Sequence, residues 1–183
     1  MAIYIGFNPP TPVNSLRVKG MVFLGHSSEV RIGFTVRATG FKEGAATLSD
    51  DAGNVLFTGG RSWNLVIFTR KKDDTITVSC RKYDVYGDAT AGSTMSDDIQ
   101  NIADGTDVGV FTYDEPFANK GTITDALLML GATREKLNAL PFRGSYILIG
   151  RKGMAAGQGK EYQVNAGGVQ AQIVFVNGVM QQG

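Results

Sequence analysis

Glycine fills 24 of the 183 positions, roughly 13% against a usual ~7%. A chain that turns this often cannot sustain long helices, because each glycine inside one costs about 1 kcal/mol relative to alanine. It can close many tight turns between short strands, and a β-rich fold is the expectation. The apolar share, 43%, is enough to build a core.

The hydrophobic pattern fits. Val30 to Arg37 alternates apolar and polar residues, the period-2 mark of a half-buried strand. Ala45–Leu48 and Val55–Phe57 flank the turn-rich stretch 50–54 and predict a hairpin. Trp63–Thr69 is a nearly continuous apolar run and predicts a central strand, while Thr75–Cys80 alternates again. Further strands are expected at Val22–Leu24, Val108–Tyr113, Ser145–Ile149 and Val169–Val176. Two short helices fit at Ser96–Ala103 and Asp125–Leu130, the second capped by Thr122 or Thr124 and ended by Gly131. The glycine-rich residues 153–168 predict a mobile loop. These elements predict an α+β, β-rich domain over residues 21–183, preceded by an arm at 1–20 that packs on a neighbour.

Charge excludes some partners. Eighteen Lys+Arg against seventeen Asp+Glu leave a formal charge of +1, without the basic excess that non-specific nucleic-acid binding needs. No stretch reaches the ~18–20 apolar residues of a membrane-spanning helix. The N-terminal residues do not read as a secretory signal, which predicts synthesis in the cytoplasm. With one cysteine, Cys80, no intrachain disulfide forms.

Catalytic patterns fail in turn. His26 is the one histidine and has no ligand-spaced neighbours. Cys80 has no second group to activate it and reads as a small core residue. The run GMAAGQGKE lacks both anchors of a phosphate loop, since Glu161 follows Gly159-Lys160 and Met154 stands where the first glycine would be. The acidic pairs 50–51, 73–74 and 97–98 are adjacent, so on a strand their side chains diverge. No enzyme, metal site or cofactor is expected.

One constellation remains. Asp114 and Glu115 follow the strand 108–113 and Arg143 precedes the strand 145–149, with Tyr113, Phe117, Phe142 and Tyr146 nearby. A carboxylate and a guanidinium beside ring faces suit a sugar, whose hydroxyls take polar forks and whose apolar face takes an aromatic. The same residues also suit a structural Asp114–Arg143 ion pair that pins two turns. Residue types alone leave both readings open.

Five blocks in register carry a resemblance. They are Ile102-Ala103-Asp104-Gly105-Thr106, Thr112-Tyr113-Asp114-Glu115, Ala126 to Ala132, Phe142 to Tyr146, and Ile149-Gly150-Arg151-Lys152-Gly153. Their order and spacing resemble the interleukin-like EMT inducer (ILEI/PANDER-like) domain over about residues 30–155. Gly60-Arg61-Ser62-Trp63-Asn64 is similar to that family's Gly-Arg-Gly-x-Asn turn, with Ser62 in place of a glycine, and Tyr83-Asp84-Val85-Tyr86 to its Phe-Asp-x-aromatic motif.

The resemblance implies two antiparallel sheets with short flanking helices. It also implies a sugar site, because a stem module of a glycosyltransferase in this family holds glycan with a carboxylate and an arginine that match Asp114 and Arg143. Tyr113, Phe117 or Tyr146 would cover the sugar's apolar face. The secreted cytokine-like members are disulfide-bonded, unlike this chain, whereas similar domains in tailed-bacteriophage virion proteins need neither disulfide nor signal. The expectation is therefore a non-enzymatic virion protein (tail, fibre or capsid decoration) at the virion surface. Its partners would be copies of itself, other virion proteins and cell-surface glycan. The alternatives are an oligomeric assembly protein without ligand, a cytokine-like signalling protein, and an enzyme acting on sugars.

Overall fold

The computed structural model describes residues 29–181; the expected arm 1–20, the run Val22–Leu24 and His26 lie outside them. Among the described residues, β1 (Arg31–Gly40), β2 (Thr47–Asp50) and β3 (Val55–Thr58) lead into β4 (Ser62–Arg70) and β5 (Ile76–Tyr83). Helix α1 (Ala91–Gln100) precedes β6 (Asp107–Asp114), and a 3-10 turn at Lys120–Thr122 leads to α2 (Thr124–Leu128) and α3 (Arg134–Ala139). The chain closes with β7 (Ser145–Arg151), β8 (Lys160–Val164), β9 (Val169–Val176) and β10 (Val179–Met180).

The strands form one mixed sheet, which corrects the expectation of two separate antiparallel ones. One lobe runs β3-β2-β1-β9-β10 and the other β5-β4-β6-β7-β8, each antiparallel throughout. A short parallel contact joins them, Thr39 opposite Tyr113 and Gly40 opposite Asp114. It exists because β4 occupies one side of β6 along nearly its whole length, while β7 pairs with the other side only as far as Phe111. The end of β1 takes the place that β7 leaves.

The lobes pack face to face around Phe34, Phe68 and Phe175, whose ring centroids lie 5.2 to 6.1 Å apart. The helices cover the outer face of the second lobe through Met95, Ile99, Leu127 and Leu137 against Trp63, Leu65 and Val110. Both faces of β4 are thus buried. That is why its sequence shows an apolar run instead of alternation.

Several elements differ from expectation: β10 has no signal in the sequence, and α2 starts after Ile123 without a side-chain cap from Thr122 or Thr124. Helix α1 begins five residues before Ser96, because Asp88 accepts hydrogen bonds from the Thr90 amide and hydroxyl (both 2.8 Å) and starts the turn upstream. Helix α3 has a single buried residue, Leu137, too little for a helical period. The supposed loop 153–168 contains β8, held along β7. Cys80, on β5, is half-buried against the edge of the core and not inside it, and burial pushes its thiol up to about 11.

Strand β8 also carries a buried carboxylate. The Glu161 side chain is only 1% exposed, and it accepts hydrogen bonds from the Tyr146 hydroxyl at 2.6 Å and from the Thr133 hydroxyl. Removing the phenol oxygen would leave one carboxylate oxygen buried and unpaired, at a cost of about 1–3 kcal/mol. Tyr146→Phe should therefore lower the unfolding free energy by that amount, read in urea as a lower midpoint at an unchanged slope; an unchanged midpoint would mean that water replaces the hydroxyl.

Candidate functional site

The same topology gathers one rim. The ends of β1, β5 and β6 and the starts of β4 and β7 lie together there, because β4 and β7 run antiparallel to β6 while β1 runs parallel. The motifs that looked unrelated in the sequence meet on it. Asn64, fully buried, ties the turn before β4: its Oδ1 accepts from Gly60 N (2.7 Å), and its Nδ2 donates to Gly60 O (2.9 Å) and Phe111 O (3.3 Å). Arg61 reaches out of that turn in a fork onto Asp84 (2.9 and 2.6 Å) and lies 4.9 Å from the Tyr86 ring centre. The Arg61 guanidinium holds the Asp84 carboxyl below the usual carboxylate range. Val85, between them, is buried in the core.

Beyond β6 the chain is fixed just as firmly. Buried Glu115 accepts from the amides of Phe117 (2.8 Å) and Ala118 (3.1 Å), and Trp63 Nε1 donates to Pro116 O (3.1 Å). Asp114 and Arg143 are brought together between these anchors, but the pair is open. Arg143 Nε stands 3.7 Å from Asp114 Oδ1, too far for a hydrogen bond. Asp114 Oδ1 is buried without a hydrogen-bond partner among the described residues. The Arg143 side chain is 46% exposed, with its guanidinium carbon 4.1 Å from the Phe41 ring centre and 4.9 Å from that of Phe142.

The backbone here is strained. Of seven non-glycine residues with positive φ among those described, five lie on this rim: Lys42, Ser62, Asp114, Asn119 and Arg143. Such conformations cost of order 1–3 kcal/mol each and persist where the surroundings over-determine them.

The aromatic residues expected here divide three ways. Phe117 is exposed, with Lys120 Nζ 4.5 Å from its ring centre. Tyr113 is half-buried against the inter-lobe core, on the opposite face of β6 from Thr112. Tyr146 is a correction: it is fully buried, edge-on to Trp63 with ring centroids 5.7 Å apart, and cannot present a face to a ligand. Phe41, which the sequence reading did not include, has taken the place beside Arg143. No local signal marks it, since it arrives through the contact between β1 and β6.

Two concavities lie elsewhere. One of about 590 Å³ runs beside β5 and α1, and one of about 370 Å³ lies near Asp104 and Arg151. Their charged groups satisfy one another: Asp98 accepts from Tyr83 (2.6 Å) and pairs with Arg81, and Arg151 donates to Asp107 (2.7 Å). The Asp114–Arg143 pair on the rim, by contrast, is left open. No cluster of three or more possible metal ligands occurs among the described residues.

A family model described as Interleukin-like EMT inducer matches residues 61–154. That is just over half of the chain, which belongs to this family. The matched stretch contains Asp114 and Arg143; β1, β2, β3, β8, β9 and β10 lie outside it. No curated protein matches the chain.

Ser62 gives a test of the rim's strain. It sits at φ 75°, fully buried, with its hydroxyl unpartnered among the described residues. Glycine there removes a left-handed penalty of about 1–2 kcal/mol and an orphan hydroxyl, against an entropy cost of about 0.5–1 kcal/mol. Ser62→Gly should raise the melting temperature by about 2–4 °C in calorimetry. A lower value would mean that the hydroxyl has a partner in solution.

Proposed function

We propose that this chain is a non-catalytic, phage-type virion protein whose ILEI domain binds cell-surface carbohydrate through Asp114 and Arg143. The observation that carries the reading is the open pair: a carboxylate with one buried, unpartnered oxygen faces a half-exposed guanidinium 3.7 Å away. A structural ion pair would close to hydrogen-bond distance, as Arg151 and Asp107 do at 2.7 Å. A sugar suits the pair, since its vicinal hydroxyls both donate and accept and can bond to two groups that do not bond to each other. Asp114 accepts a hydroxyl hydrogen, while Arg143 donates to a ring or N-acetyl oxygen. Phe117, three residues beyond Asp114, is an exposed ring.

The virion setting rests on the family resemblance and on Cys80 being the one cysteine, which sets the chain apart from disulfide-bonded cytokine-like members. Its partners are then copies of itself and neighbouring virion proteins, with glycan on the outward face.

A glycan array on the protein in its native oligomeric state tests the reading, with Asp114→Ala and Arg143→Ala alongside. Both variants should lose binding at least tenfold and keep their stability within about 1 kcal/mol, the range of partly exposed ion pairs. A blank from the native protein, or unfolding of Arg143→Ala, would favour an assembly role with the pair as scaffold.

A further inference from the structure

The family-matched stretch supplies Asp114 and Arg143, but part of their surroundings comes from elsewhere in the chain. Gly40, at the end of β1, sits opposite Asp114. A Cβ at Gly40 would lie 2.8 Å from Arg143 O, so β1 can come this close only as glycine. The next residue, Phe41, is 40% exposed, so packing in the core does not account for it. Its ring lies closer to the Arg143 guanidinium than that of Phe142, 4.1 against 4.9 Å.

The turn that carries Phe41 is held from several directions. Glu43 accepts from Gly40 N (3.1 Å) through one oxygen and from Gly167 N (2.9 Å) through the other. The Thr39 hydroxyl donates to Gly44 O at 2.8 Å, and Arg37 donates to Glu43 O at 3.2 Å. Arg143 itself makes no hydrogen bond among the described residues. A half-exposed arginine without hydrogen bonds would sample many rotamers, and ordering it on binding would weaken the complex. Two ring faces remove much of that freedom while leaving the N–H edges to donate.

We propose that Phe41, from outside the family-matched stretch, is a positioning residue that stacks on Arg143 and holds its N–H edge toward the gap beside Asp114. This proposal rests on the reading of that pair as a ligand site. It makes the β1–β2 turn the place where this chain adds to the site that its family stretch provides.

The test has one readout that needs no ligand. In ¹⁵N-labelled protein the Arg143 Nε–Hε resonance, assigned by its loss in Arg143→Lys, should be displaced by the ring currents of the two phenyl groups. In Phe41→Ala it should move toward the position of a free arginine, and in Phe41→Tyr it should stay displaced. An unchanged resonance in Phe41→Ala overturns the proposal. On an array of neutral hexose and N-acetylhexosamine glycans, Phe41→Ala should bind roughly five- to tenfold more weakly than wild type, and Phe41→Tyr close to wild type. Equal binding by wild type and Phe41→Ala also overturns it, with the glycan reading intact. A wild-type blank together with the expected resonance shift rejects the glycan reading and upholds the positioning of Arg143.

Discussion

The contact of β1 with β6 spans two residue pairs, and the architecture around the rim depends on it. Strand β6 is paired with β4 on one side, while on the other β7 gives way to β1 at Tyr113 and Asp114. Thr112 fills the changeover: its hydroxyl accepts from Tyr146 N at 2.9 Å, so the backbone is satisfied where the ladder is interrupted. This exchange of partners adds a backbone ladder to the aromatic core that the two lobes share, and it brings the end of β1, with Phe41 after it, to Arg143.

An interrupted ladder also explains why strain collects where it does. A strand that ends against two different neighbours must turn sharply, and Ser62, Asp114 and Arg143 all take left-handed backbone there. Elsewhere polar groups are closed off in pairs, as with Glu161 against Tyr146 and Thr133, or Asp107 against Arg151. The rim keeps two side-chain oxygens buried and unpartnered among the described residues, those of Ser62 and Asp114. Buried polar atoms are paired in most folded proteins, so the unpartnered oxygens of Ser62 and Asp114 mark the rim as the least satisfied part of the described residues.

What could be read from the sequence follows the range of the interaction. The alternation of β1 and the apolar run of β4 report burial directly, so those strands were legible to within three residues at their ends, and Val169–Val176 to the residue. Strand β8 was not, because glycines flank five residues that are all half-buried, with Tyr162 packing on the inter-lobe core. Asp114 and Arg143 were legible as a pair because both flank strands of one sheet. Tyr146 misled for a reason of period: it shares a face of β7 with Leu148, and that face meets the helices. Phe41 lies 102 positions before Arg143 and reaches it through a parallel contact that no local pattern announces.

A binding role for Asp114 and Arg143 requires that the pair stand open and not hold the rim together. A double-mutant cycle on unfolding free energy measures this directly, with Asp114→Ala, Arg143→Ala and the double variant. The expected coupling is below about 1 kcal/mol, as for partly exposed pairs. A coupling above about 2 kcal/mol would show that the pair is closed in solution and serves as scaffold, and would overturn the binding role.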